Sequence, residues 1–290
     1  MRDDFAIFIL SHNRADRVST ISALQKSGYT GKYYLVIDNE DETISEYITT
    51  FGEDKIIVFD KLATSMTFDS FDLSNNRSSV VYARNECFQI AKKLGLKYFL
   101  QLDDDYCRFE YRYEQDDKLM TSIIPNFDYI VECMIGFLDD SDALTVAFAQ
   151  GGDLIGGKDS PRFKQRLIRK AMNSFFCSVD RPFKFIGRIN EDVNTYVTLG
   201  NRGHLFFTVT NLDLVQIPTQ QNKGGMSDIY LSLGTYTKSF YSVITSPSSV
   251  HLDVMGTSHK RIHHKINWES CCPKIISSKF KKCQGDIYER

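Results

Sequence analysis

The stretch Tyr98-Phe99-Leu100-Gln101-Leu102-Asp103-Asp104-Asp105 joins a mostly apolar run directly to three consecutive carboxylates. The apolar run predicts a buried strand, which places the acidic cluster at the edge of a sheet. Mg²⁺ and Mn²⁺ prefer hard oxygen ligands and keep open positions for phosphate oxygens. Because Asp103 and Asp105 alternate along the chain, both can face one ion, and the stretch predicts a metal site for phosphate chemistry. An acidic turn that only solvates the strand end is the alternative explanation.

Strand and helix patterns alternate through the first 105 residues. Apolar runs predict strands at residues 5–10, 33–37, 56–59 and 98–102. Helical spacing predicts helices that begin near residues 18, 44 and 80, with a polar loop from residue 60 to residue 79. The alternation predicts an α/β fold with a parallel sheet covered by helices. Ligands of such sheets bind outside the carboxyl ends of the strands, where Ser11, Asp38 and Asp103 all fall.

The second half of the chain mixes helices and strands. Apolar residues at helical spacing predict a helix over residues 127–138. Two more helices are predicted to begin at Pro161 and Glu191, with Ser160 and Asn190 as their N-caps. Further strands are predicted at residues 143–149, 205–210 and 241–245. We therefore expect a mixed sheet flanked by helices, in a single compact domain.

Composition places the chain among ordinary globular proteins. Its 290 residues are 42% apolar and 13% aromatic, which is ample for the core of one large domain. No run approaches the ~20 apolar residues of a membrane-spanning helix, and the first residues lack a signal-peptide core. The seven scattered cysteines, without CxxC spacing, indicate neither a disulfide framework nor a zinc site. We expect a soluble, cytoplasmic protein that is a monomer or a weak oligomer.

The net charge of −2 hides an uneven distribution. A basic segment, residues 158–170, carries six positive side chains against Asp159 alone: Lys158, Arg162, Lys164, Arg166, Arg169 and Lys170. Residues 260–290 carry eight Lys or Arg against three acids, whereas acids cluster at residues 103–105, 110–117 and 139–142. This partition predicts a basic surface for a polyanion beside an acidic metal pocket. Solvated helix faces that are balanced by neighbours in space are the alternative.

Four motifs follow one another in the order of a known enzyme family. They are Ser11-His12-Asn13-Arg14 with Arg17 after the first strand, Asp38 after the second, Arg84-Asn85 in the helix before the fourth, and Asp103-x-Asp105 after it. This order resembles the nucleotide-sugar half of the GT-A glycosyltransferases. The resemblance implies a GT-A-like (Rossmann-like) fold and a UDP-sugar donor. It also implies a donor site built from Ser11, Asn13, Arg14, Asp38, Arg84, Asp103 and Asp104.

The same resemblance implies a Mn²⁺ or Mg²⁺ ion held by Asp103, Asp105 and His251. His259, His263 and His264 compete for the place of His251, and a hydrogen-bonded structural histidine is the alternative in each case. Residues 1–105 would bind the nucleotide sugar, and residues 106–255 would bind the acceptor and carry out catalysis. Residues 256–290 would form a basic segment packed on the same domain, where residues 260–265 could bind diphosphate or an acceptor phosphate.

A general base is needed because the acceptor hydroxyl must lose its proton as it attacks the anomeric carbon. Glu191-Asp192 resembles the acidic pair from which inverting GT-A enzymes draw this base, with Asp192 foremost and Asp228 as the rival. The alternative is that both acids only complement the dipole of the helix that they begin.

The chain also has a more particular resemblance, over nearly its whole length. Its motifs are residues 190–194 (NEDVN), 224–230 (GGMSDIY) and 238–243 (KSFYSV). They resemble the TET-associated glycosyltransferases of bacteriophages, which are related to the enzyme that glucosylates hydroxymethyluracil in base J synthesis. That resemblance implies inverting transfer of a sugar, UDP-glucose being the first choice of donor, to 5-hydroxymethyluracil or 5-hydroxymethylcytosine in phage DNA.

Three other functions compete with this interpretation. One is a GT-A enzyme that acts on a polysaccharide, a lipid-linked sugar or a protein. Another is an inactive binding module of the same fold, which the intact Asp103, Asp105 and Asp192 count against. Nucleotidyltransferases share the fold, but they carry a glycine-rich phosphate loop after the first strand, and Ser11-His12-Asn13-Arg14 has no glycine.

Overall fold

The computed structural model describes residues 1–72, 75–216, 234, 236–256 and 260–271. Its helices are α1 (Ser19–Lys26), α2 (Ile44–Phe51), α3 (Lys61–Ser65), α4 (Val81–Lys93), α5 (Phe127–Asp140), α6 (Pro161–Gln165), α7 (Glu191–Asn201), α8 (Thr237–Thr245) and α9 (Trp268–Cys271). Its strands are β1 (Phe5–Leu10), β2 (Lys32–Asp38), β3 (Ile56–Phe59), β4 (Tyr98–Asp103), β5 (Tyr106–Gln115), β6 (Lys118–Ile123), β7 (Thr145–Gln150), β8 (Leu167–Ile168), β9 (Ser174–Ser178), β10 (Phe206–Gln216), β11 (Val250–Met255) and β12 (Arg261–Ile266). Among these residues, no helix combines the length and the apolar character needed to cross a membrane.

Within the described residues, ten strands form one mixed sheet in the order β3-β2-β1-β4-β9-β7-β10-β5-β6, with β8 paired to β10. Strands β3, β2, β1 and β4 are parallel. Strand β9 runs antiparallel to β4 and β7, and the β5–β6 hairpin extends the sheet beyond β10. The predicted α/β class is confirmed, as is the mixed sheet flanked by helices in a single compact domain. Strands β11 and β12 form a separate two-stranded sheet.

Strand β1 is buried along its whole length because apolar clusters cover both faces of the sheet. Phe5, Ile7 and Ile9 pack into a cluster with residues of α1 and α5. Ala6, Phe8 and Leu10 pack into a second cluster with residues of α4 and α7. A strand that is covered on both faces has no polar side to expose, so its sequence is a continuous apolar run rather than an alternating one.

The register of the parallel strands brings the predicted site residues together. Leu10 lies opposite Val36 on β2 and opposite Asp103 on β4. The residues that follow β1, β2 and β4 therefore leave the sheet side by side. We call this the carboxyl edge, and it carries residues 11–14, 38–41 and 103–105.

The strand predicted at residues 241–245 is wrong, because these residues form the second half of α8. Tyr, Val, Ile and Thr favour strands locally. However, the two buried residues of α8, Ser239 and Ser242, are three apart, as one face of a helix requires. Ser242 Oγ also donates a hydrogen bond to Asn194 Oδ1 on α7 at 2.9 Å. Packing against α7 thus outweighs the local propensity for a strand.

Two predicted helix starts are confirmed in position, but their side chains do not cap. Asn190 and Ser160 precede α7 and α6 without accepting a capping hydrogen bond. Asn190 Nδ2 instead donates to Ser242 Oγ at 2.6 Å, and Ser160 Oγ donates to the Asp153 carbonyl. In the predicted loop of residues 60–79, α3 begins where the Asp60 carboxylate accepts a hydrogen bond from the Ala63 N–H.

Candidate functional site

The middle carboxylate of the acidic cluster points into the protein and ties the carboxyl edge together. Asp104 has only 3% of its side chain exposed. Its Oδ2 accepts a hydrogen bond from Ser11 Oγ at 2.5 Å, and its Oδ1 accepts one from Arg14 Nη1 at 3.0 Å. Tyr47 Oη lies 2.7 Å from Ser11 Oγ and accepts a hydrogen bond from the Arg14 N–H. Burial raises the pKa of Asp104, against the opposing effect of Arg14. In this structure Ser11, Arg14 and Asp104 thus hold the loop after β1 onto the end of β4.

We expect Ser11→Ala to lower the free energy of unfolding by about 1.5–3 kcal/mol, because the buried Asp104 carboxylate, a charged acceptor, loses the hydrogen bond that the Ser11 hydroxyl donates. Chemical denaturation measures this change. Ser45→Ala, on the exposed side of α2, is the matched control and should stay within ~0.5 kcal/mol of the unmodified protein. Equal stability of the two variants would contradict a structural role for Ser11.

Asp38, at the end of β2, is held by two basic side chains. Its Oδ2 lies 2.8 Å from His12 Nδ1, and its Oδ1 lies 3.2 Å from Lys61 Nζ. Burial alone would raise the pKa of Asp38, but the hydrogen bond from His12 and the charge of Lys61 outweigh it and lower that pKa. The carboxylate is therefore kept ionised as a hydrogen-bond acceptor. Asn13, with a positive φ of 54°, turns the chain so that its N–H donates to Asp41 Oδ2 at 2.7 Å.

The two outer carboxylates of the acidic cluster are partly exposed at the carboxyl edge. Asp103 has 21% of its side chain exposed, and Asp105 accepts a hydrogen bond from Gln216 Nε2 at 3.0 Å. Burial, together with repulsion from Asp103 and Asp104, raises the pKa of Asp105 to about 7. Burial also raises the pKa of Asp103, against the opposing charges of Arg84 and Arg14. Several carboxylates are therefore crowded at one place with too little positive charge nearby.

These features fit a divalent cation at Asp103 and Asp105, since both residues offer hard oxygen ligands and a cation would relieve the crowding of negative charge. The third predicted ligand does not join them. His251 is exposed on β11, opposite Lys265 on β12. Within the described part of the chain, no three His, Cys, Asp or Glu side chains form a group that could hold a metal. The set of Asp103, Asp105 and His251 is thus not assembled here, and His259 lies outside the described residues.

Arg84 joins the acidic cluster to the pair of acids that begins α7. Its side chain is 1% exposed, and it donates from Nη2 to Asp103 Oδ1 at 3.0 Å and from Nε to Glu191 Oε1 at 3.1 Å. The guanidinium also lies over the Phe175 ring, with 4.8 Å to its centroid. The sequence assigned Arg84 to the nucleotide, and in this structure its guanidinium is almost completely buried and bonded to two acids. It acts on the edge through Asp103 and Glu191.

Glu191 and Asp192 stand at the N-terminus of α7 and are both buried. Burial raises the pKa of Glu191 to about 7, against the opposing charge of Arg84. Burial also raises the pKa of Asp192, against a backbone hydrogen bond and the charges of Arg84, Lys238 and Lys170. Two adjacent acids with raised pKa values are well suited to accept a proton near neutral pH. The rival base, Asp228, lies outside the described residues.

The basic segment is less basic in three dimensions than in sequence. Lys164 pairs with Asp159 at 2.9 Å, and Lys158 pairs with Asp117, from the turn between β5 and β6, at 2.6 Å. A buried carboxylate, Asp153, takes up two more positive side chains of the segment, Arg162 at 3.1 Å and Lys170. Only five residues of the segment are α-helical, in α6. The alternative explanation, charges balanced by neighbours in space, therefore holds for Lys158 and Lys164, whereas Arg162 and Lys170 share one carboxylate.

Several residues of the site could not be singled out from the sequence. His12 was within reach, because it belongs to the motif after β1 that the sequence points to. No sequence motif marks Lys61, Tyr47 or Gln216 as a site residue. Each comes from a part of the chain that only folding brings to the carboxyl edge.

Comparisons with known proteins agree with this picture. The model of the TET-associated glycosyltransferase family matches residues 5–225. No curated protein matches the chain.

Three solved structures are among those to which the chain is similar. Glucosyl-3-phosphoglycerate synthase from Mycobacterium tuberculosis, with Mg²⁺ and UDP, is 10% identical over 90% of this chain and 87% of its own, with a TM-score of 0.47. A mannosyltransferase from Pyrobaculum calidifontis, with GDP-Man and Mn²⁺, is 11% identical over 85% and 73%, with a TM-score of 0.46. S. aureus TarS 1–349, with UDP-GlcNAc, is 11% identical over 83% and 66%, with a TM-score of 0.45. Similarity at this level carries no information about the substrate of this chain.

Proposed function

The chain belongs to the TET-associated glycosyltransferase family, and on this premise we propose that it glycosylates hydroxymethylpyrimidines in DNA. The donor is a UDP-sugar, with UDP-glucose as the first choice. The acceptor is the hydroxymethyl group of 5-hydroxymethyluracil or 5-hydroxymethylcytosine. One observation supports this most: Arg84 bridges Asp103 of the acidic cluster to Glu191 beside Asp192, so a candidate donor site and a candidate base are joined within one buried network.

The donor half of the site is the carboxyl edge of residues 1–105. Asp38, kept ionised by His12 and Lys61, accepts hydrogen bonds from the nucleoside, and Asn13 shapes the loop beside it. Asp103 and Asp105 would hold Mn²⁺ or Mg²⁺, which when bound would offset the negative charge of the leaving diphosphate. The buried hydrogen bonds of Asp104 to Ser11 and Arg14 hold the loop after β1 in place at this edge.

The acceptor half lies in residues 106–255 around the start of α7. In an inverting reaction the hydroxymethyl oxygen attacks the anomeric carbon as the bond to UDP breaks, and Asp192 takes up the hydroxyl proton. Glu191, fixed by Arg84, positions α7 relative to Asp103. A base within a duplex must be extruded before its hydroxymethyl group can reach this point.

We place the reaction in the cytoplasm, that of the host if the chain is phage-encoded, with the enzyme acting as a monomer or a weak oligomer. The five cysteines of the described residues are all free thiols, as a reducing compartment requires.

The test is to incubate the protein with Mn²⁺, UDP-glucose and oligonucleotides that contain hydroxymethyluracil, hydroxymethylcytosine or thymine. We expect a mass increase of one hexose on a hydroxymethylated strand and none on the thymine strand, which differs only by the missing hydroxyl. Parallel reactions with other nucleotide sugars identify the donor. Transfer to the thymine strand, or to a polysaccharide or protein acceptor in place of DNA, would contradict the proposal.

A further inference from the structure

Several positive side chains lie near Asp192, the residue that follows Glu191 on α7. The charges that act most strongly on Asp103 are those of Arg84 and Arg14. Those that act on Asp192 include Lys238 of α8 and Lys170, which follows β8. Successive residues of a helix point in directions ~100° apart. The surroundings of Asp192 therefore differ from those of Asp103 at the carboxyl edge, although the charge of Arg84 acts on both acids.

One buried acid, Asp153, holds together two of the positive side chains in this region, Arg162 and Lys170. Asp153 is 2% exposed, and its Oδ1 pairs with both Lys170 Nζ and Arg162 Nη1. Lys170 itself is mostly buried, and burial lowers its pKa. Two positive side chains share a single carboxylate here, so the pair of interactions leaves positive charge in excess.

The remaining members come from α8 and β12, which pack against each other and, through α8, against α7. Lys238 is within electrostatic reach of Asp192 and of Arg261, and burial lowers its pKa. The His263 and His264 rings lie 4.2 Å apart beside these charges. Burial and the neighbouring Lys238 lower the pKa of His263 to about 4, while burial and His263 lower that of His264 to about 3. Both imidazoles are thus neutral at neutral pH and can bond an anion without adding charge.

Four positive side chains and two histidines make up this group. We call Arg162, Lys170, Lys238 and Arg261, with His263 and His264, the α7 cationic cluster. Among the described residues, the carboxylates that interact with it are Asp153 and Asp192. Asp253 lies opposite His263 on the neighbouring strand, and its Oδ2 forms an ion pair with Lys265 Nζ at 2.8 Å.

An exposed tryptophan, stacked on a buried tyrosine, borders the same place. Tyr196 lies one helical turn after Asp192 and interacts with it and with Arg162. Trp268 of α9 stacks on Tyr196, with 5.8 Å between the ring centroids and 17° between the planes, and remains 38% exposed. Positive charge beside an exposed aromatic ring is the combination with which proteins bind unpaired nucleic-acid bases and their phosphates.

We propose that the α7 cationic cluster binds a backbone phosphate of the acceptor DNA and that Trp268 stacks on a neighbouring base, so that the hydroxymethyl group is presented to Asp192. This inference rests on the proposed function for the identity of the acceptor. It places the DNA contact at α8, β12 and α9, beyond the family-matching residues 5–225, and includes Arg162 and Lys170 of the basic segment. The donor diphosphate is the competing occupant, which the test separates.

The experiment measures binding of an unmodified oligonucleotide by fluorescence anisotropy across a series of salt concentrations. Arg261→Gln, at an exposed position, and Lys238→Gln should each make the slope of log affinity against log salt shallower by roughly 0.9, as expected for one lost duplex phosphate contact. Trp268→Ala should weaken binding with an unchanged slope, because stacking releases no counterions. Lys164→Ala, on the exposed and paired part of the basic segment, is the control and should leave both quantities unchanged.

Three further measurements, of UDP binding, of DNA glycosylation and of thermal melting, separate the possible failures. UDP binding should be unchanged in Arg261→Gln and Lys238→Gln, and a loss of UDP affinity would assign the cluster to the donor diphosphate and overturn the inference. Unchanged salt slopes in both variants, or a change in Lys164→Ala alone, would also overturn it. If no hydroxymethylated DNA is glycosylated while the slopes change as expected, the proposed function fails and the DNA contact stands. Thermal melting of each variant shows that it is folded.

Discussion

Replacing Asp192 by asparagine is expected to lower the rate of sugar transfer by ~10²–10⁴-fold, the usual contribution of a general base. The amide keeps the shape of the side chain but cannot take the proton of the acceptor hydroxyl. Affinity for UDP-sugar and for DNA should be retained, since the donor edge and the α7 cationic cluster are unchanged. Single-turnover transfer at saturating substrate measures the loss.

The pH profile adds an independent signature for this role. Burial raises the pKa of Asp192 and raises that of Glu191 to about 7. Because proton acceptance requires the ionised form, the rate should rise as the pH increases toward neutrality, and Asp192→Asn should lose this dependence. Asp140→Asn, at an exposed position at the C-terminal end of α5, is the matched control and should leave activity unchanged. Full activity of Asp192→Asn, or an equal loss only in Asp228→Asn, would transfer the role.

Replacing Asp105 by asparagine is expected to abolish transfer and to weaken Mn²⁺ binding. Asp105 is partly exposed, bonded at one oxygen to Gln216, and crowded by two carboxylates that disfavour its charge unless a cation is near. An uncharged amide removes both a ligand and part of the negative field that attracts the cation. Electron paramagnetic resonance of free Mn²⁺ measures binding, and excess chelator should inactivate the unmodified protein.

The matched control for Asp105 is Asp116→Asn in the turn between β5 and β6. Asp116 is an exposed acid with a φ of 48°, a conformation that asparagine tolerates. It should change neither Mn²⁺ binding nor turnover. Asp104→Asn should differ from both, because its carboxylate is buried against Ser11 and Arg14, and its loss should appear first in the melting temperature. Turnover by Asp105→Asn in the presence of chelator would exclude the metal-dependent mechanism.

Local patterns predicted those parts of the fold in which burial alone dictates the sequence. Strand β1 is covered on both faces, so its continuous apolar run could be read directly. Helix α5 buries one stripe and shows the matching period in its sequence. In α8, by contrast, the two buried residues are serines, and one of them, Ser242, bonds Asn190 and Asn194 at the start of α7. Such contacts have no hydrophobic period, and the sequence was interpreted as a strand.

The sequence by itself determined the α/β class, the strand that ends in Asp103-Asp104-Asp105 and the acids at the start of α7, because each depends on neighbours within a few residues. Only the tertiary structure decided what these residues contact. It turned Asp104 inward, buried Arg84 between Asp103 and Glu191, and brought no three His, Cys, Asp or Glu side chains of the described residues into a group that could hold a metal. It also paired much of the basic segment with acids. Charge and hydrogen bonding act between side chains that are close in space, and residues as distant in sequence as Arg84 and Glu191 become neighbours only when the sheet register and the helix packing are set.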